Sequence, residues 1–122
     1  MGILTKLVGG HVYTPSGVLK NATIIVKDGR IADISLSNVE IDGADVIDAS
    51  GLRVVPGGID LHIHGGAGSD YMEATEDAFR EAMESHVVHG TTSICPTLGA
   101  GSFEMYKEAI KVSEKLMAED ST

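Results

Sequence analysis

Apolar and polar positions alternate at short range through the first half of the chain and then, past residue 58, switch between strand and helix periods. Ile3-Leu4-Thr5-Lys6-Leu7-Val8 reads as a strand ending at Gly9-Gly10, and Thr14-Pro15-Ser16-Gly17 has Pro and Gly where they lower the cost of a turn. Ala22-Thr23-Ile24-Ile25-Val26-Lys27 and Arg30-Ile31-Ala32-Asp33-Ile34-Ser35-Leu36 are β-branched runs joined by Asp28-Gly29. That dipeptide suits a type I′ hairpin, whose twist matches the strands it connects. Asp45-Val46-Ile47-Asp48 is a further short strand, followed by Ala49-Ser50-Gly51 and Arg53-Val54-Val55. The segment predicts a small antiparallel β domain over residues 1–55, bounded by Pro56-Gly57-Gly58.

Beyond the boundary, Ile59-Asp60-Leu61-His62-Ile63-His64 predicts a strand that stops at Gly65-Gly66. Thr75 is placed to cap a helix, with Glu76 and Asp77 in its first turn where negative charge suits the dipole. Phe79, Ala82, Met83, His86 and Val87 form one stripe at spacings of three and four, and Gly90 supplies a stop. Thr92-Ser93-Ile94-Cys95-Pro96 reads as a second strand. After Gly99-Ala100-Gly101-Ser102 a second helix follows, with Phe103, Tyr106, Ile110, Ser113 and Met117 as its predicted buried face and Glu104, Lys107, Lys111 and Glu114 on the solvated side. Strand, helix, strand, helix is the repeat of a parallel α/β fold.

Composition narrows the function classes. Nine Lys+Arg against 18 Asp+Glu give a net charge of −9 over 122 residues, which repels phosphate backbones and argues against nucleic acid as a partner. No stretch approaches the ~18 apolar residues of a membrane span, and the start lacks the apolar core of a signal peptide, so no membrane partner and a cytoplasmic location are expected. The single Cys95 excludes an intramolecular disulfide and a Cys-rich zinc module. Fifteen glycines predict many turns, and five aromatic residues without Trp predict a lightly aromatic core.

The chemistry concentrates at His62 and His64. Residues two apart in a strand face one way, so both imidazoles, with Asp60 behind them, point to the same side. Neutral imidazole is a preferred ligand of zinc and similar divalent ions, and sites in parallel α/β folds gather beyond the carboxyl ends of strands. Asp60 is a candidate to orient an imidazole from behind. The other candidates favour structural roles: His86 and His89 at a helix C-terminus, His11 as a surface turn residue, Cys95 as a small hydrophobe in a buried strand, and Gly65, Gly66 and Gly68 as a turn after the strand.

Val54-Val55-Pro56-Gly57-Gly58-Ile59-Asp60-Leu61-His62-Ile63-His64-Gly65 resembles the opening segment of the amidohydrolase superfamily. Within it, His64-Gly65-Gly66-Ala67-Gly68-Ser69-Asp70 and Gly90-Thr91-Thr92-Ser93-Ile94-Cys95-Pro96-Thr97-Leu98 resemble the N-acetylglucosamine-6-phosphate deacetylase family. The resemblance implies that residues 56–122 are the first two β-α units of a truncated (β/α)8 barrel, a fold of about 250 residues. It also implies a divalent metal, zinc or iron, as one or two ions, with His62 and His64 as the first ligand pair. The implied reaction is attack of a metal-activated water on the acetamide of N-acetylglucosamine 6-phosphate, giving glucosamine 6-phosphate and acetate. No catalytic residue is expected within this chain: the resemblance places the bridging glutamate, two further metal histidines, the phosphate-binding residues and the catalytic aspartate after Thr122, leaving the metal site incomplete and the chain alone inactive. Pro56-Gly57-Gly58-Ile59-Asp60-x-His62-x-His64 is shared with cyclic-amide hydrolases of the dihydropyrimidinase and dihydroorotase type, which remain an alternative. A further alternative is a non-catalytic chain that acts by association. Open strand edges point to a homo-oligomer, dimeric or higher.

Overall fold

The computed structural model describes residues 4–120, so Ile3 of the predicted first strand lies outside the described residues. The chain divides into two compact units, residues 1–56 and 57–122.

In the first unit, β1 (Leu4–Thr14) pairs antiparallel with β2 (Gly17–Lys27), which pairs antiparallel with β3 (Arg30–Ser35). The predicted break at Gly9-Gly10 is instead a bulge inside one long strand. The register shifts between Leu7 and Gly10, and again between Gly10 and Val12, so the two irregularities offset each other and pairing resumes. Gly9 has φ +77, which lets a residue be inserted without ending the ladder. Asp28 (φ 50) and Gly29 (φ 74) carry the two positive φ values of the hairpin expected from their sequence.

The expectation of a purely antiparallel sheet fails at β4 (Asp45–Asp48) and β5 (Arg53–Val54), both of which pair parallel to β1. The chain between β3 and β4 is long enough to cross back over the sheet, so β4 enters from the same end as β1. Lys6 anchors this connection from beneath. Although buried, it donates from Nζ to the Val39 carbonyl at 3.0 Å and to Asn38 Oδ1 at 3.4 Å. Val12, Ala22 and Ile24 form the core, flanked by Leu7, Leu19, Val26, Ile34 and Val54.

In the second unit, β6 (Gly58–Ile63) pairs parallel with β9 (Thr91–Pro96). The predicted strand thus ends one residue short of His64. The glycines after it form a small antiparallel hairpin, β7 (Gly65–Gly66) with β8 (Ser69–Asp70), turning at Ala67-Gly68. A single 3₁₀ turn, Tyr71–Glu73, follows under an Asp70 capping box. Helix α1 (Glu76–Val87) begins as expected, with Thr75 Oγ1 accepting from the Ala78 N–H at 3.2 Å.

Helix α2 (Phe103–Asp120) buries a different face from the one its large apolar residues suggest. Ala109 and Leu116 are buried with Val112 against them, whereas Phe103 is 71% exposed, Met117 69% and Ile110 49%. Ala109, a small residue, is buried in the same cluster as Tyr71. The core holds Tyr71, Phe79, Ala82, Ala109 and Leu116, with the Tyr71 and Phe79 rings 4.7 Å apart. Ion pairs Glu76–Lys115 and Arg80–Glu119 join the two helices at their exposed sides. Among the described residues, no helix is long and apolar enough to cross a membrane.

Candidate metal centre

Ile63 sets the geometry of the site. Its side chain packs toward the core with Ile94 and Leu98, so alternation sends the residues on either side of it, His62 and His64, to the opposite face. Their rings meet edge to face, with centroids 5.1 Å apart and planes at 80°. Both histidines are exposed, as access by an ion requires.

The backbone around the pair is bonded from several directions. Asp60 Oδ1 accepts the His62 N–H at 3.0 Å, so the carboxylate reaches the main chain of the first histidine. The His64 carbonyl accepts from the Tyr71 N–H at 2.9 Å. His86 Nε2 lies 3.1 Å from the Gly65 carbonyl and donates to it, joining α1 to the hairpin directly after His64. Thr97, just past β9, exchanges two bonds with Ile63: the Ile63 N–H donates to its Oγ1 at 3.2 Å, and its own N–H donates to the Ile63 carbonyl at 2.7 Å.

Burial, with the nearby Asp60 charge adding to it, holds the Tyr71 phenol above its ordinary value of 10.0. Tyr71 is fully buried, and its hydroxyl has no hydrogen-bond partner among the described residues. The site therefore keeps a neutral phenol beside a carboxylate.

Of the other sequence candidates, His86 is structural through its bond to Gly65, and His89 is exposed beyond the end of α1. Two expectations are corrected. His11 is not a turn residue: it lies in β1 opposite Arg53, with Nδ1 buried and without a hydrogen-bond partner among the described residues, because the strand runs through the glycine pair. Cys95 is exposed. Within β9, Ile94 takes the face turned to the helices, so Cys95 takes the other face, which nothing among the described residues covers. Sequence reading missed Thr97 and the His86 bond as supports of the pair. The signal for Thr97 was its place one residue after Pro96, where a proline leaves a strand short of a donor.

Among the described residues, no group of three or more His, Cys, Asp or Glu side chains is placed to hold a metal ion. His62 and His64 fit a divalent ion by donor type and by facing one way.

Comparison with known proteins shows what the chain is similar to. No family model matches the chain. An N-acetylglucosamine-6-phosphate deacetylase from Lysinibacillus sphaericus is 34% identical over 98 residues, covering 80% of this chain and 25% of the relative. The crystal structure of an N-acetylglucosamine-6-phosphate deacetylase from Pasteurella multocida covers 95% of this chain and 31% of its own, with TM-score 0.88 and 26% identity. The chain is similar to part of the N-acetylglucosamine-6-phosphate deacetylases, within the amidohydrolase superfamily. A D-hydantoinase crystal structure also matches, at 30% identity with TM-score 0.64, over 93% of this chain and 24% of that one. The chain thus spans about a quarter to a third of the deacetylases it resembles.

Proposed function

We propose that this chain supplies the first metal-ligand pair of a metal-dependent deacetylase that hydrolyses N-acetylglucosamine 6-phosphate to glucosamine 6-phosphate and acetate. The observation that carries this reading is the TM-score of 0.88 to a deacetylase, with His62 and His64 together at a strand end. In the proposal, residues 1–55 form a small β domain and residues 56–122 form the first two β-α units of a barrel. In such a barrel, side chains at the carboxyl ends of strands face the substrate.

When bound, a divalent ion, zinc or iron, would acidify water and polarise the amide carbonyl. His62 and His64 hold that ion through neutral imidazole nitrogens, and Asp60 fixes the main chain of His62. The substrate phosphate needs cationic partners from outside the pair, since the chain is acidic overall and no Lys or Arg accompanies these histidines in the Ile59–Asp70 stretch. The enzyme is proposed to be cytoplasmic and to act as a homo-oligomer.

A cyclic-amide hydrolase is the second reading, favoured by the 30% identity to the D-hydantoinase structure. The lower TM-score of that match, 0.64, weighs against it. The test measures acetate release from N-acetylglucosamine 6-phosphate by the longest protein expressed from the gene, with zinc, iron, cobalt or manganese supplied and a hydantoin and dihydroorotate assayed in parallel. Metal-dependent acetate release is the expected result, and the 122-residue chain by itself is expected to be inactive because it contributes two ligands. Turnover of the cyclic amides with no acetate release contradicts the proposal.

A further inference from the structure

We propose that Thr97 is a positioning residue for the His62–His64 pair, clasping the one residue that separates the two histidines. The inference rests on the reading of these histidines as metal ligands.

The pairing of β6 with β9 is irregular where the histidines stand. Asp60 faces Ile94 and Ile63 faces Pro96, so three steps along one strand match two along the other. Pro96 has no N–H, and the ladder lacks a donor at that point. Thr97 makes up the deficit. Its N–H donates to the Ile63 carbonyl at 2.7 Å, and its Oγ1 accepts the Ile63 N–H at 3.2 Å. The hydroxyl proton is directed to the Cys95 carbonyl at 3.1 Å, which leaves a lone pair for Ile63. Both main-chain groups of Ile63 are therefore held by one residue.

Two imidazoles bind one ion well only if their Cβ directions are fixed before the ion arrives, and outer partners that fix metal ligands carry a measurable part of the affinity. Holding Ile63 at both its N–H and its carbonyl fixes the peptide planes on either side, which belong to His62 and His64. A slip in the strand at this point would turn one histidine away from the other.

The test is calorimetric titration with zinc chloride of the full chain and of Thr97→Val, Thr97→Ser, Thr92→Val and His62→Ala, with amide hydrogen exchange followed at Ile63. Thr97→Val keeps shape and main chain but removes the hydroxyl. It is expected to weaken zinc binding roughly tenfold and to speed exchange at Ile63, whereas Thr97→Ser restores both. Thr92 bonds the Gly58 carbonyl at 3.4 Å at the far end of the same strand pair, so Thr92→Val tests for general loosening and is expected to leave zinc affinity unchanged. Thr97→Ala is a second hydroxyl-free variant, read by the same outcomes if Thr97→Val does not fold. Unchanged affinity with faster exchange at Ile63 overturns the role of Thr97. Equal weakening by Thr92→Val also overturns it. Zinc binding that survives His62→Ala instead overturns the reading of the metal ligands, and the positioning role falls with it.

Discussion

At the residue scale, single side chains hold main-chain segments that lack regular partners. Lys6 does so in the first unit, donating to the Val39 carbonyl in the connection before β4. Its contact with Glu40 at 3.8 Å adds little, because Glu40 is exposed. Lys6→Met keeps the stem and removes the donor, leaving a half-buried carbonyl unpaired. The substitution is expected to destabilise the chain by about 1–3 kcal/mol, read from urea denaturation. Thr97 plays the corresponding part in the second unit. The His62–His64 pair was legible in sequence because strand alternation is a local rule. The Thr97 clasp was not, because it joins residues 34 apart and depends on where Pro96 falls in the register. Asp60 was legible as a residue behind the pair, while its bond to the main-chain N–H of His62 came only with the structure.

At the scale of elements, the features set by neighbouring residues were the ones the sequence displayed: the Asp28-Gly29 hairpin, the Thr75 cap and the succession of strand and helix. Features set by distant packing were not. The parallel pairing of β4 depends on the path of the connection before it, and the packed face of α2 is the one whose Ala109 and Leu116 are buried in the cluster with Tyr71. Spacing predicts a face with Phe103, Tyr106, Ile110, Ser113 and Met117, of which Tyr106 and Ser113 are half-buried while Phe103, Ile110 and Met117 are exposed, so the packed face is rotated from the predicted one. The hairpin after His64 carries its own prediction. A Cβ on Gly65 would sit 2.0 Å from the main-chain carbonyl oxygen of Ser69, whereas one on Gly66 meets the tips of Ser85 and His86 at 2.4 and 2.7 Å. Backbone cannot swing aside and side-chain tips can. Thermal melts should therefore place Gly66→Ala near the lower end of the about 1–3 kcal/mol typical of overpacking, and Gly65→Ala at the upper end or beyond it.

At the scale of the whole molecule, the chain combines a nearly neutral sheet unit, with five Lys+Arg against six Asp+Glu, with an acidic second unit whose paired strands present two histidines at one end. Its likeness to the deacetylases extends along nearly its whole length, although it spans only a quarter to a third of theirs. Ile59 and Leu61 of β6 and Phe103, Ile110 and Met117 of α2 are apolar and exposed. The central claim is that His62 and His64 act together as ligands of one divalent ion. Histidine ring resonances recorded during zinc titration test it most directly, because all five histidines report separately. The account predicts that the His62 and His64 signals move together and saturate, while those of His11, His86 and His89 stay in place. Movement of His86 and His89 with no change at His62 and His64 would contradict it.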